Sequence, residues 1–517
     1  MHSSRIVRFC LFLLIALATC KGLYHLVSQA WYFFDGAYAG DAKYYWTVGK
    51  ALLNGFELYG DIFDTKPPGI YLLSALSFWM FDSGTLGFIF NALMVLAYPL
   101  LFAGVAYLLA VDLPQTRKRN AVLFSALFGM LLSLYTAFQA QAWQVEWYGA
   151  FFASLYALAL VSVPHLAILT TCLVLAIGFK EPFALSLIGI ALLLLPRKQD
   201  FIHRFAKPLG ITAVAGVIGL LAFGYADGYF STYLPSHFGH HLVRSVPLWM
   251  RGLFIDIWVK YLWEYSYFFS VLVGILFVEA FVQSRRSGRP IVRAILIIIA
   301  LYLALTAGNL RGYPVANHFV AVAPLYTALF LLMLKRVIAE GFTSMSRIFM
   351  GVMVVTLLTI PMSDGFARYA EILSNREQGS VARREVAEKI DAILDACNVD
   401  RYFYVEEKSY MEYMRHSPQN FFVYAGPESI VYYHPLVIEK HLQSFSTAQI
   451  VIAHGDAYEI RQQNEEKTIS EMTFRYLANQ FTITPWSCAE DLETPKGYSV
   501  LYRKDPHDMK SFLFKLK

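Results

Sequence analysis

Eight ionisable residues stand in apolar or aromatic surroundings where their side chains could do chemistry: Asp41, Asp64, Lys66, Glu146, Lys180, Glu181, Arg311 and His318. Asp41 follows Gly40 and precedes Tyr44, Tyr45, Val48 and Leu52 at helical spacing, so it opens a helix. Its carboxylate is either an N-cap or a base exposed at a helix start. Asp61, Asp64 and Lys66 come directly before Pro67-Pro68, which fix φ and carry the lysine on a stiff, extended segment. A rigid lysine there suits an anionic headgroup; the plainer reading is a snorkelling lysine paired with Asp64.

Lys180-Glu181-Pro182 interrupts an otherwise apolar run. Each such charge at membrane depth costs roughly 2.5–3.5 kcal/mol on the insertion scale, which marks the pair as a functional candidate as well as a structural pair at a helix break. Gln144-Val145-Glu146 places an acid at the start of another apolar run, where a helix N-terminus also favours it. In Arg311-Gly312-Tyr313-Pro314-Val315-Ala316-Asn317-His318-Phe319, Arg311 and His318 together make a phosphate clamp. His237, His240, His241 and Arg244 cluster within 226–262 without an arranged acid and read as interfacial side chains. No metal-ligand spacing and no cofactor motif stands out, and a divalent metal stays open.

The elements that must position these residues are membrane helices. Of 517 residues, 57% are hydrophobic and only 16% charged, against about 25% charged in soluble globular domains. The net charge of +5 matters less than where the basic residues lie, and nothing in it points to nucleic acid. Apolar runs near 7–30, 84–110, 121–137, 146–163, 165–179, 182–195, 208–226, 264–283, 291–308, 318–334 and 346–362 predict eleven spans. The first resembles a signal peptide in its Arg5 and Arg8, but no A-x-A site follows, and it is read as a retained helix. Breaking the run at Lys180 puts Arg117-Lys118-Arg119, Arg197-Lys198, Arg285-Arg286 and Lys335-Arg336 on one side with Arg5 and Arg8. The positive-inside rule makes that side cytoplasmic and the C-terminus extracytoplasmic. The segment 69–82 is apolar but short and is read as interfacial or half-inserted.

Residues 1–362 thus form a membrane domain, with a first outer loop of about 33–68. Residues 363–517 are polar and read as an extracytoplasmic α/β domain, with a helix over Ala382 to Ala396 and strands at Arg401–Val405, Ile450–Ala453 and Tyr498–Tyr502. Cys397 and Cys488 are either bonded or two separate thiols.

The candidate residues come from separate loops or helix ends, all on the outer side. A transporter places such groups at mid-membrane between internal repeats, and no repeat is visible. The stretch from Asp41 through Ala51-Leu52-Leu53-Asn54-Gly55, Leu58-Tyr59-Gly60-Asp61, Phe63-Asp64 and Lys66-Pro67-Pro68-Gly69 resembles the first outer loop of GT-C glycosyltransferases. The likeness is to the bacterial branch related to protein O-mannosyltransferases, lipid A aminoarabinose transferases and rhizobial lipopolysaccharide galacturonosyltransferases. Glu146, Lys180 and His318-Phe319 before Pro324 also fit that pattern. The resemblance covers about residues 5–362. It implies a polytopic helical protein of the inner membrane that moves a sugar, with inversion, from a polyprenyl-phosphate donor to an acceptor hydroxyl on a cell-envelope glycolipid or glycan. It implies Asp41 as base, Lys66, Lys180, Arg311 and His318 on the donor phosphate, and Asp64, Glu146 and Glu181 as supporting acids. One departure is that Ala42 follows Asp41 where many members carry a second acid, which weakens any borrowed metal role. The alternatives are a flippase for a lipid-linked sugar, a protein O-glycosyltransferase and a non-catalytic membrane scaffold.

Overall fold

Long runs without a polar face leave a helix nowhere to lie except inside a large apolar core or a bilayer. The computed structural model describes residues 2–35, 41–140, 142–237, 246–286, 288–310, 312, 314–360, 380–404, 410–423, 435–454 and 480–504. Within these, the eleven apolar runs are all helical. They are α1 (His2–Asp35), α4 (Thr85–Leu109), α5 (Gln115–Gln139), α6 (Val145–Ser162), α7 (Leu166–Phe179), α8 (Phe183–Leu194), α9 (Lys198–Ala222), α11 (Tyr267–Arg285), α12 (Pro290–Gly308), α13 (Ala316–Glu340) and α14 (Ser344–Thr359). Between them lie α2 (Ala42–Leu53), α3 (Pro68–Phe81) and α10 (Ile255–Tyr265). Eight described helices are long and apolar enough to cross a membrane. Of the eleven expected, α7, α8 and α14 are shorter. The chain is a polytopic helical membrane protein.

The inner helices α5 and α13 are almost wholly covered. Phe128 stacks on Phe330 between them at 4.1 Å, with Phe124 and Phe349 around the pair. The outer helices expose large apolar side chains such as Val214, Ile218, Ile291 and Ile298, which water would penalise and lipid would not.

Charge sorts the two ends of the bundle. At one end, Tyr156 late in α6 donates to the Arg204 carbonyl, Arg286 meets Glu340, and Arg336 meets Glu279. Phe124 packs on Phe342 there, which brings the Arg117-Lys118-Arg119 loop to the same end. At the other end stand the start of α6, the α7–α8 break at Lys180 and the start of α13, joined through Glu146. The backbone at Lys180 is extended (φ −159°, ψ 113°), so α7 and α8 are two helices, as the charge count requires. Helix α3 does not cross. Its start at Gly69 packs on Gly178, and its far end leads to Gly84, which accepts from the Trp143 indole, so both its ends stay at the Lys180 end.

At that same end sits a mixed five-stranded sheet in the order β2-β1-β3-β5-β4, built from β1 (Arg401–Tyr404), β2 (Ser417–Pro418), β3 (Ile450–His454), β4 (Phe481–Thr482) and β5 (Tyr498–Arg503). Strand β1 is parallel to β2 and β3; β5 is antiparallel to β3 and β4. Helices α15 (Ser380–Ala396) and α16 (Pro435–Ser446) accompany it, and a Cys397–Cys488 disulfide ties the end of α15 to the turn before β5. The expected helix is found with its start two residues earlier, and the three strands within one residue, Val405 of the first lying outside the described residues; β2, β4 and α16 carry no signal that the sequence reading used.

This α/β part grips the first loop through backbone. Phe63 N–H donates to the Phe421 carbonyl at 2.5 Å, and Val423 N–H donates back to the Phe63 carbonyl at 3.2 Å. Lys50 reaches the Met414 carbonyl and Asn54 the Ser417 hydroxyl. His441 on α16 accepts the Phe422 N–H at 3.2 Å, and burial drives its pKa from 6.5 down to about 3. The unfolded chain takes up that proton below about pH 6.5 while the folded chain refuses it. Stability held at neutral pH is therefore lost as pH falls from about 6.5 toward about 3, by up to about 1.4 kcal/mol per pH unit. Thermal melts of the detergent-purified protein should fall over that window, and His441→Asn should flatten the slope; an unchanged slope in the variant would assign the loss to other groups.

Candidate functional site

Gly69 and Gly178 set the cleft geometry. A Cβ on Gly69 would stand 2.5 Å from the Gly178 carbonyl oxygen, so only glycine lets α3 lie this close to the end of α7. Pro67 is extended and Pro68 takes the first helical position, where its missing N–H costs nothing. Together they deliver Lys66 next to Lys180. Thr65, Lys66, Lys180, Glu181, His237, Gly308, Leu310 and His318 line a narrow cleft of about 20 Å³.

At its wall, Glu146 is 1% exposed at the start of α6. Lys180 Nζ donates to Glu146 Oε1, and His318 Nε2 lies 3.5 Å from the same oxygen. Glu146 Oε2 is buried without a hydrogen-bond partner among the described residues. Lys66, itself 8% exposed, lies close enough for its charge to act on both Glu146 and Glu181. Lys180 thus pairs across helices with Glu146.

Glu181 takes a different partner. The Tyr233 hydroxyl donates to Glu181 Oε1 at 2.5 Å. Tyr233 ends the π-helical turn Tyr229–Tyr233 and packs against Tyr59 at 4.5 Å and His237 at 5.4 Å. Burial pushes the Glu181 carboxyl above the usual carboxylate range, opposed by the Tyr233 hydrogen bond and by the charges of Lys180 and Lys66. Lys440 of α16 reaches the Thr232 hydroxyl, so the α/β part holds this wall too.

Asp41 precedes α2 but its side chain does not cap it. Its Oδ2 instead accepts from Gln144 Nε2 at 3.3 Å and from the Tyr45 hydroxyl at 3.5 Å. Asp41 is not part of the cleft lining; Gln144, two residues before Glu146, holds it on the neighbouring side. Asp64 is 2% exposed and anchors its own loop, accepting from the Tyr71 hydroxyl at 2.8 Å and the Thr65 N–H at 2.5 Å. Arg311, His240, His241 and Arg244 lie outside the described residues. His237, read as interfacial, lines the cleft.

Sequence reading missed three contributors. Tyr233 is one aromatic among many, and only tertiary packing sets it on Glu181. Tyr71 is hidden in an apolar helix. Arg251, a lone charge in Trp249-Met250-Arg251-Gly252-Leu253, is completely buried. It donates to the carbonyls of Val246 and Leu310 and so braces the turn beside the cleft. A single arginine in apolar company was the available signal.

Removing Lys180 leaves Glu146 buried with its charge exposed to low dielectric. Lys180→Met should destabilise the protein by about 3–5 kcal/mol, and Lys180→Met with Glu146→Gln should recover most of the loss. Chemical denaturation of the two variants measures this; equal losses in both would show that the pair is not coupled.

Compared with protein-family models, with curated proteins and with solved structures, the chain matches none.

Proposed function

We propose that this chain is a membrane glycosyltransferase that moves a sugar from a polyprenyl-phosphate donor to an acceptor hydroxyl on a cell-envelope glycolipid or glycan. One observation carries the reading: Lys66, Lys180 and His318, from three distant segments, meet in one cleft, at the end of the bundle away from the basic loops. A donor whose tail lies in the bilayer presents its phosphate at that level. The first-loop resemblance to GT-C enzymes supports the same reading. By the positive-inside rule the cleft end faces outward, in the inner membrane, and the Cys397–Cys488 bond suits an oxidising compartment on that side.

The chemistry follows from the charges. The acceptor oxygen attacks the anomeric carbon, the bond from that carbon to the phosphate oxygen breaks, and configuration inverts. Polyprenyl phosphate leaves with the bonding electrons, and Asp41 takes the acceptor proton. Lys66, Lys180 and His318 stabilise the charge that grows on the phosphate, joined in this reading by Arg311; fixed charges in a low-dielectric cleft are worth several kcal/mol there. Glu146 holds Lys180 and His318 in place, Glu181 shapes the opposite wall, and Asp64 keeps the Lys66 loop rigid. Gln144 and Tyr45 orient the Asp41 carboxylate, work that an N-cap would not need.

Asp41→Asn should lower sugar transfer by about 10²–10⁴-fold while membrane insertion stays normal. Mass spectrometry of surface glycolipids from a deletion strain carrying each form reads this out; near-normal product with the variant removes Asp41 as base, and donor translocation without bond formation would point to a flippase. Lys66→Ala should raise the donor concentration for half-maximal rate at least about tenfold. An unchanged donor requirement would take Lys66 off the phosphate.

A further inference from the structure

The opposite end of the bundle holds a second and larger cleft. Helices α8, α11, α12 and α13 part there around a cleft of about 530 Å³. Its lining is cationic at Arg286, Arg293, Lys335 and Arg336 and apolar along α8, where Leu192, Leu193 and Leu194 form a leucine wall. Arg336 is already engaged, donating to the buried Glu279 at 2.6 Å and to Glu340 at 2.9 Å, and Gln283 also bonds Glu279. Arg286 shares Glu340 at 3.4 Å. Arg293 and Lys335 are exposed and have no carboxylate within ion-pair distance among the described residues. The cleft therefore carries more positive charge than its own acids neutralise. Its apolar wall continues into helix faces such as Ile291, Val292 and Ile295, which are bare in the structure.

We propose that this cleft binds an anionic glycerophospholipid of the facing leaflet, with its phosphate on Arg293 and Lys335 and an acyl chain along the leucine wall. Charge complementarity selects the headgroup: each Lys or Arg near an anionic membrane surface is favourable, and here two are unpaired. The apolar wall selects a lipid over a soluble anion, because a free phosphate would leave it wet. Basic loops that serve only to orient helices need neither a cleft nor a buried acid fixing one arginine in place. Along helix α12, Arg293 of this cleft and Gly308 of the Lys180 cleft are 15 residues apart, roughly 22 Å. The two sites are independent, and the lipid proposal does not rest on the transferase reading.

Native mass spectrometry of the full-length protein, titrated with phosphatidylglycerol and with phosphatidylcholine, tests it. The expected result is about tenfold stronger retention of phosphatidylglycerol, lost in R293Q/K335Q and kept in R293K, with unchanged thermal melting in all three forms. Equal retention of the two lipids, or a preference that survives in R293Q/K335Q, would overturn the proposal. Displacement of the lipid by inorganic phosphate at matched concentration would also overturn it, because a small-anion site would then explain the cations. Should the double variant fold poorly, R293Q alone should still weaken the preference, while R293K should not.

Discussion

A carboxylate that is almost completely covered must find a cation or lose its charge, and Glu146 finds Lys180. That single pair joins the first turn of α6 to the extended residue that follows α7, and His318 brings in the start of α13. None of these helices needs its neighbour's ionic end for its own hydrogen bonds. The burial of Glu146 makes the three ends meet. Once they meet, Lys180 cannot continue a helix, α8 must start afresh at Phe183, and the bundle has an end with a cleft in it. Glu146 Oε2 has no hydrogen-bond partner among the described residues, so Lys180 and His318 on Oε1 carry the compensation for its burial.

The α/β part is bound to this arrangement by backbone as well as by side chains. Phe63 exchanges hydrogen bonds with Phe421 and Val423, three residues before Lys66. Phe63 also stacks between Phe421 and Tyr233, and Lys440 of the same unit reaches Thr232. The Lys66 loop and the Tyr233 turn beside the cleft are thus both fastened to the same sheet-and-helix unit. A ligand that spread these walls would have to break a backbone pair, so the cleft is pre-organised.

Much of the helical framework was legible because hydropathy dictates it. A run of apolar residues has one low-energy conformation in lipid, and the break at Lys180 could be read from charge alone. Strands β1, β3 and β5 were legible from alternation, whereas β2 and β4, of two residues each, are too short to carry a period. The site was legible by residue and not by pairing. Lys180 and Glu181 are adjacent in sequence, yet they face different partners, Glu146 and Tyr233, because the extended residue between two helices turns successive side chains apart. For Asp41 the sequence left an N-cap and a free carboxylate open, and the structure shows a side chain that makes no cap and instead accepts from Gln144 and Tyr45. The part of Gly69 was beyond sequence reasoning, since it depends on a backbone oxygen more than a hundred residues away.

The two ends of the bundle treat charge in opposite ways, and the difference follows from position. At the Lys180 end, each acid has its own donor: Glu146 faces Lys180 and His318, while the Tyr233 and Tyr71 hydroxyls donate to Glu181 and Asp64. Such a lining holds a charged ligand in one orientation, because it offers attraction and repulsion within one small space. At the other end Glu279 and Glu340 fix Arg336, while Arg293 and Lys335 stay outside any ion pair among the described residues. An unbalanced lining attracts anions without orienting them. Selective chemistry needs the first arrangement and retention at a surface needs only the second, which is why the transferase reading proposed above looks to the Lys180 end and the lipid proposal to the other.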